Sequence, residues 1–250
     1  MGIRRQLFMF SHVIMHVPHS SVFIPPEYEK SFLTDVGEEL SYMTDWYTDE
    51  LFSSRHESLV FPVSRLICDV ERFRRDSDEI MAERGMGAVY EKGHRLQKLR
   101  RFGENEKEEI LEKYYDAHHR TLEEKVRQRL EAFGKCLIID CHSFYPEALP
   151  YELGEGGERP DICIGTDPFH TPESAAKRLE AHFRKAGYSV GRNSPFSGAL
   201  VPMCFYGKES GVSSVMVELN KKLYLNGEKK SGGFEKLRNT LRAIDWLKLI

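Results

Sequence analysis

Four apolar segments of this sequence end in residues that can bind metals or transfer protons. These residues are His19, Ser20 and Ser21 in the first segment, Asp69, Glu71, Arg72 and Arg74 in the second, Asp140, His142 and Ser143 in the third, and Glu218 and Asn220 in the last. One charged residue at the end of a strand is ordinary, and a lone histidine is more often a hydrogen-bonded core residue than a ligand. Because four segments share the feature, we interpret their ends as one candidate site.

Two histidines and a carboxylate are the residue types of a catalytic zinc site, whose remaining position holds a water molecule with a pKa of about 7. His19 and His142 are therefore the first candidate ligands for Zn²⁺ or another divalent metal. Asp45, in the helical-looking stretch YMTDWYTDELF, is the preferred acidic ligand, and Asp69 is the alternative. The spacing matches neither an H-E-x-x-H helix nor a zinc finger, so Asp45 could equally be a solvated residue on a helix face.

Glu218 and two arginines complete the chemical inventory. In a strand, Glu218 shares a face with Met216 and Asn220, so its carboxylate can serve as a general base if that face looks towards the metal; an ion pair with an arginine is the other reading. Arg72 and Arg74 can bind a substrate carboxylate through paired hydrogen bonds, or they can form part of a surface charge cluster.

The elements that must position these residues are predicted from periodicity and capping signals. An alternating order of strands and helices indicates an α/β fold, in which a largely parallel sheet is covered on both faces and ligands bind beyond the carboxyl ends of the strands. Segments 74–103 and 145–160 are long irregular loops. The predicted strands are 12–21, 58–72, 135–143, 161–166 and 214–220, and the predicted helices are 104–134, 171–187 with Thr171 as N-cap, and 234–249.

Composition excludes several classes of protein. A chain of 250 residues with 40% hydrophobic residues can form a single domain spanning residues 1–250. Its net charge of -3 argues against nucleic-acid binding, and no apolar run reaches the roughly 20 residues of a membrane span. Residues 1–21 are interpreted as the first strand rather than a signal peptide. Five cysteines without a C-x-x-C pair predict reduced thiols in a soluble cytoplasmic protein.

An ordered series of short motifs resembles the N-formylglutamate amidohydrolase family over nearly the whole chain. The motifs are VPHSS (17–21), TDWYTDELF (44–52), PVSRLICDVERF (62–73), GMGAVY (85–90), IIDCHSF (138–144), RPDICIG (159–165), RNSPFSGALV (192–201) and VELNKKLYLN (217–226). The family is similar to zinc carboxypeptidases and aspartoacylases. The resemblance implies a three-layer α/β/α fold with a mixed, largely parallel sheet, of the phosphorylase/hydrolase-like and zinc-exopeptidase-like type. It also implies metal-dependent cleavage of an N-acyl amino acid, typically N-formylglutamate to formate and glutamate in histidine degradation.

The resemblance also implies roles for individual residues. It places His19, Asp45 and His142 at the metal and Glu218 at the general base. Strand alternation, independently of the resemblance, puts Asp140 on the same face as His142 and predicts that it lies behind that ligand. It implies substrate binding by the residues Arg65, Arg72, Asn193, Gly198 and Ser20. Two positions depart from the family pattern: Glu71 replaces an asparagine and Lys221 replaces an arginine. The first adds a negative charge beside Arg72, and the second loses a bidentate fork, so both put the substrate's identity in question.

Two other functions compete with the metal-dependent enzyme. The chain could be a non-catalytic binder of small carboxylates on the same fold, with no competent metal site. A thiol hydrolase using Cys141 and His142 is disfavoured, because adjacent residues of a strand point to opposite faces.

Overall fold

The computed structural model describes residues 10–153 and 157–250 of the chain. Its α-helices are α1 (Pro26–Glu29), α2 (Val36–Met43), α3 (Thr48–Leu51), α4 (Glu106–Ile110), α5 (Ala117–Phe133), α6 (Glu173–Lys185) and α7 (Phe234–Arg242). Its strands are β1 (Val13–Val17), β2 (Glu57–Val60), β3 (Cys136–Phe144), β4 (Ile162–Gly165), β5 (Val190–Arg192), β6 (Val212–Asn220), β7 (Leu225–Asn226) and β8 (Lys229–Lys230).

The first six strands form one sheet in the order β2-β1-β3-β6-β4-β5. Strands β2, β1, β3 and β6 are parallel neighbours, whereas β4 runs antiparallel to β6 and pairs in parallel with β5. Strands β7 and β8 form a separate hairpin. The mixed, largely parallel α/β sheet predicted from the sequence is thus confirmed.

Helices cover both faces of the sheet because its central strands are buried on both sides. On β3, Leu137, Ile139 and Cys141 contribute to a core shared with α3, α6 and α7. The alternate residue Ile138 faces the opposite core, which includes Leu122 of α5. The period-two alternation of a strand therefore produces the three layers, and it places Cys141 among apolar side chains on the face away from His142.

The second predicted strand, 58–72, is wrong beyond Val60. Pro62 has no backbone N–H and therefore cannot donate a hydrogen bond to a neighbouring strand. The chain after β2 folds into turns, in one of which the backbone N–H of Ile67 donates to the Ser64 carbonyl at 2.9 Å. The apolar side chains of this segment, including Phe61 and Val70, are buried in a separate cluster rather than in the sheet. Asp69, Glu71 and Arg72 consequently lie on a loop that runs over the edge of the sheet.

The predicted long helix, 104–134, contains a π-helical segment at Leu111–Asp116 between α4 and α5. This segment buries Tyr115, and the Tyr115 hydroxyl donates to the Arg72 carbonyl at 2.7 Å. Single π turns are often found next to functional sites, since they re-aim one side chain without ending the helix. The helix ends at Gly134, whose φ of 67° favours glycine, as the sequence predicted.

The other two predicted helices are shorter than expected. Thr171 does not cap α6, which begins at Glu173; the Thr171 hydroxyl instead donates to the Ser214 carbonyl at 2.6 Å. The last predicted helix ends at Arg242 and is followed by a 3₁₀ turn at Trp246–Lys248. Strand β5 and the β7–β8 hairpin were not predicted, because segments of two or three residues carry too little periodicity.

All five cysteines are free thiols, and only Cys204 is exposed. No helix in residues 10–153 and 157–250 is long and apolar enough to cross a membrane. The predicted first strand is shorter than expected, because β1 ends at Val17, and residues 1–9 of the N-terminal stretch lie outside the described residues.

Packing of α6 against the sheet predicts a large difference between two phenylalanines. Phe183 is fully buried in the core, whereas Phe133, at the end of α5, is 40% exposed. Phe183→Ala should lower the free energy of unfolding by about 4 kcal/mol, because it leaves a cavity, and Phe133→Ala by less than about 1 kcal/mol. Urea unfolding followed by circular dichroism measures both; equal losses would contradict this packing.

Candidate active site

Strand register brings the predicted polar residues together on the α5 face of the sheet. His142 of β3 pairs with Glu218 of β6, and one row deeper His16 of β1 pairs with Asp140 of β3. The alternation places His142 and Asp140 on the same face, so the two rows stack above one another. This face opens at the carboxyl ends of β1, β3 and β6, where an α/β sheet binds its ligands.

His19, Asp45 and His142 meet above the upper row. Asp45 lies between α2 and α3, and its backbone N–H donates to the His19 carbonyl at 3.0 Å, which fixes the two residues together. Asp45 Oδ2 lies 3.5 Å from His19 Nδ1 and 3.4 Å from His142 Nδ1. All three side chains are buried. The preferred ligand set of the sequence analysis therefore forms one cluster in space.

The cluster fits a tetrahedral metal ion. Metal–ligand bonds of about 2.0–2.1 Å place neighbouring ligand atoms of a tetrahedron about 3.3 Å apart, close to the two observed separations. His19 Nδ1 and Asp45 Oδ2 are buried and have no hydrogen-bond partner among the described residues. Burial alone would raise the pKa of Asp45, but the contacts with His142 and His19 hold it well below its ordinary value. A buried carboxylate with an unpaired oxygen beside two imidazoles is an appropriate donor set for Zn²⁺.

Asp69, the alternative acidic ligand, lies on the outer side of His19. Its Oδ1 is 2.8 Å from His19 Nε2, and its Oδ2 accepts a hydrogen bond from Arg65 at 2.7 Å and another from the Tyr90 hydroxyl. A carboxylate on the outer nitrogen fixes the orientation of the ring and leaves the inner nitrogen free for a metal. Asp45 is thus the carboxylate inside the cluster, and Asp69 binds the outer nitrogen of His19 from outside the cluster.

Asp140 lies behind His142, where the sequence analysis placed it. Asp140 Oδ1 is 3.0 Å from His142 Nε2, while Oδ2 accepts the backbone N–H of Leu200 at 3.3 Å. Burial would raise the pKa of Asp140, but His142 and His16 lower it, so the residue is a carboxylate. Each candidate metal-binding histidine therefore has an aspartate close to its other ring nitrogen; the contact at His19 is a hydrogen bond, whereas the contact at His142 is an ion pair without hydrogen-bond geometry.

A second polar network lies beneath these residues, and sequence reasoning missed it. His16 Nδ1 is 2.9 Å from Asp140 Oδ1 and 3.1 Å from Glu71 Oε1, and its Nε2 is 2.8 Å from His118 Nε2 of α5. Burial would lower the pKa of His16, but the two carboxylates raise it to about 9, whereas burial beside the charged His16 lowers that of His118 to about 2. Cationic His16 therefore donates to neutral His118. Glu71 pairs with His16 and forms no ion pair with Arg72 in the described residues.

Glu218 faces the cluster from β6. It is 7% exposed, and its Oε2 has no hydrogen-bond partner among the described residues. Burial raises the pKa of Glu218 to about 8. The charge on His142 opposes this shift, whereas the charges on Asp45 and Asp140 add to it. A carboxyl group with a pKa near neutrality can both accept and return a proton, as a general base requires.

Two arginines and a lysine supply positive charge around the cluster. Arg65 and Arg72 line the cavity, and the nearest carboxylate to Arg72 is Asp69, 3.8 Å from its Nε. Lys221 is 5% exposed, and its Nζ donates to the Tyr42 carbonyl at 3.1 Å; burial lowers its pKa to about 8. Arg74 instead forms ion pairs with Glu108 and Asp116 and does not line the cavity, so it fits the surface-cluster reading.

The remaining substrate-binding candidates divide into two groups. Gly198 lines the cavity at a φ of 93°, where any other residue is strained. The structure does not bring Asn193 into the cavity wall, because its side chain accepts from Thr166 N and donates to Thr166 Oγ1, each at 2.8 Å. Ser20 is half-buried and also lies outside the wall. Asn193 therefore joins β4 to the loop after β5.

Comparisons with known proteins identify relatives of this site and fold. Residues 11–225 match the family described as N-formylglutamate amidohydrolase. A crystal structure of N-formylglutamate amidohydrolase from Ralstonia eutropha is similar, with a TM-score of 0.78 and 20% identity over 92% of this chain and 90% of that one. A gene product from Agrobacterium tumefaciens has a TM-score of 0.68 and 20% identity over 95% and 91% of the two chains. No functionally curated protein matches the sequence.

The buried Glu218 carboxyl predicts a pH-dependent stability effect. Its folded pKa of about 8 exceeds its unfolded value, so Glu218 destabilises the metal-free protein increasingly as pH rises from about 4.5 to about 8. Glu218→Gln should therefore stabilise metal-free protein by about 2 kcal/mol at pH 8 and by close to nothing at pH 4.5. Urea unfolding at both pH values tests this, with Glu131→Gln on the exposed surface of α5 as the matched control. An unchanged stability at pH 8 would show that the carboxyl is not desolvated.

Proposed function

The chain belongs to the N-formylglutamate amidohydrolase family, and from this premise we propose that it is a metal-dependent amidohydrolase of N-acyl amino acids. N-Formylglutamate, cleaved to formate and glutamate, or a close analogue is the proposed substrate, which gives the enzyme a role in amino-acid catabolism such as histidine degradation. The observation that carries the proposal is the buried cluster of His19, Asp45 and His142, in which His19 Nδ1 and Asp45 Oδ2 have no hydrogen-bond partner among the described residues and which Glu218 faces.

The three clustered residues would hold Zn²⁺ or another divalent metal, with Asp69 and Asp140 orienting the two imidazoles. The chemistry that a metal would supply there is polarisation of the scissile carbonyl and a lower pKa of the attacking water. Arg72 and Arg65 bind the carboxylate of the amino acid and so align its amide bond with the cluster.

Glu218 moves the protons of the reaction. Its carboxylate accepts a proton from the attacking water as the oxygen bonds to the acyl carbon. It then gives that proton to the amide nitrogen, the C–N bond breaks, and the products are a carboxylate and a free amino acid. The arginine cations favour the negative charge that develops on the carbonyl oxygen. Burial of Glu218 supports this role, because a desolvated carboxylate is a stronger base than a solvated one.

Metal content and turnover should separate in two variants. His142→Ala removes a proposed ligand and should lose both the metal and activity, whereas Glu218→Gln should keep the metal and lower kcat about a thousandfold. His182→Ala is the control. The His182 ring is on α6 and contacts the Thr240 carbonyl at 2.9 Å, outside the cluster, so this variant should keep both the metal and the activity. Elemental analysis and an assay of glutamate release measure both quantities. A metal-free native protein that binds N-acyl amino acids without turnover would instead indicate a carboxylate-binding protein.

Arg72 should dominate recognition of the substrate carboxylate. Arg72→Ala removes a guanidinium that lines the cavity, so KM for N-formylglutamate should rise about a hundredfold with a smaller change in kcat. Arg74→Ala, which breaks only ion pairs outside the cavity, should leave KM within about twofold. Steady-state kinetics of both variants make the test. Equal KM values for the two variants would place the carboxylate elsewhere.

A further inference from the structure

The candidate active site opens into a cavity that is larger than its polar centre needs. Its volume is about 830 Å³, within the range that encloses a drug-sized ligand, whereas N-formylglutamate has only about twelve non-hydrogen atoms. Much of the wall is apolar or aromatic. One side of it, which we call the acyl wall, consists of Phe196, Leu200, Val201, Met203 and Tyr206.

Apolar side chains that remain exposed concentrate around this cavity. Of the twelve large apolar residues exposed in the described parts of the chain, five line it: Phe73, Ile80, Leu153, Met203 and Tyr206. Single exposed apolar residues are normal on protein surfaces, but several around one cleft indicate a surface that a ligand covers. Met203 and Tyr206, which are 63% and 45% exposed, connect this group to the acyl wall.

Two hydrogen bonds place the acyl wall beside Glu218. The loop that carries the wall spans the strands on either side of β6, because the Phe196 carbonyl accepts from Cys163 Sγ of β4 at 3.2 Å and Leu200 N donates to Asp140 of β3 at 3.3 Å. Glu218 is on β6, between these two strands, and Arg72 is on the loop after β2. An amino acid whose carboxylate binds Arg72 and whose amide lies at Glu218 therefore has its acyl group beside the wall.

We propose that this site accepts, in addition to the formyl group, apolar acyl chains of about six or more carbons on the amino acid, and that it hydrolyses these longer substrates with the higher kcat/KM. This inference rests on the proposed function and specifies its substrate class. A formyl group would leave the wall in contact with water, whereas an alkyl chain removes its apolar surface from water. Water adds its oxygen to the acyl carbon, Glu218 transfers the proton to the amine, and the products are a free fatty acid and the amino acid.

A homologous substrate series tests the proposal. Glutamate carrying formyl, acetyl, hexanoyl or decanoyl groups is incubated with the metal-loaded enzyme, and released glutamate is measured. Each added methylene that contacts the wall should raise kcat/KM about threefold, so the hexanoyl substrate should exceed the acetyl one by more than about tenfold. If formylglutamate is the best substrate and the hexanoyl compound is the worst, the acyl-chain proposal is overturned while the amidohydrolase function stands.

Variants of the wall provide the second arm. Met203→Ser should lower the hexanoyl-to-acetyl ratio of kcat/KM about fivefold, since it replaces an exposed thioether at the wall without disturbing the core. Leu33→Ser, at an apolar residue that is 42% exposed and outside the cavity, is the matched control and should leave that ratio unchanged. If the hexanoyl substrate binds more tightly than the acetyl one but Met203→Ser leaves the hexanoyl-to-acetyl ratio of kcat/KM unchanged, the acyl chain contacts another surface. That result would contradict the proposal that the acyl wall binds the chain.

Calorimetric binding distinguishes failure of this inference from failure of the proposed function. If the metal-loaded enzyme hydrolyses none of the four compounds, the amidohydrolase proposal fails. Titration of Glu218→Gln with the same compounds then still tests the wall, and affinity should rise with chain length as turnover does. Affinity that is independent of chain length would overturn the inference whatever the outcome of the assay.

Discussion

The parallel pairing of β3 with β1 and β6 is the constraint on which the rest of the site depends. It sets His142 beside Glu218, and it sets His16 beside Asp140 one row below. A slip of one residue in β3 would turn Asp140 and His142 into the opposite, apolar core and replace them with Cys141. Burial of Ile138 and Ile139 on opposite faces holds the register, so the hydrophobic core fixes the geometry of the polar cluster.

Charge balance explains why such a buried cluster favours a cation. The carboxyl groups around it outnumber the arginine and lysine side chains. Burying an unpaired carboxylate destabilises the folded protein unless a positive charge compensates it. Protonation of His16 and a raised pKa at Glu218 offset part of the excess in the protein alone. The carboxyl groups are Asp45, Asp69, Glu71, Asp140 and Glu218, and the arginine and lysine side chains nearest to them are Arg65, Arg72 and Lys221.

Much of the site could be predicted from residue type, because the strand ends that carry it are strongly periodic. Residue type made Asp45 the preferred acidic ligand, but its position beside His19 depends on a backbone hydrogen bond that periodicity does not encode. The predicted second strand was too long, because the apolar residues between 61 and 70 pack in a loop and do not pair with a neighbouring strand. The His16–His118 contact joins residues 102 positions apart, so only the fold reveals it.

The structure gives a physical explanation for Glu71, one of the two departures from the family pattern. The sequence suggested that its charge would weaken Arg72. In the structure its carboxylate instead lies 3.1 Å from His16 Nδ1, beneath the cluster, and it supports the imidazolium together with Asp140. The consequence of the substitution therefore falls on the network behind His142 rather than on the substrate clamp, a distinction that depends on the side-chain direction of a loop residue.

A crystal structure of zinc-loaded protein, with anomalous diffraction collected at the zinc edge, tests the proposed metal site directly. We expect one anomalous peak within about 2.0–2.2 Å of His19 Nδ1, Asp45 Oδ2 and His142 Nδ1, with Glu218 facing the ion but not bound to it. A peak between His16, Glu71 and Asp140 instead, or no peak in protein that hydrolyses N-acyl amino acids, would contradict it.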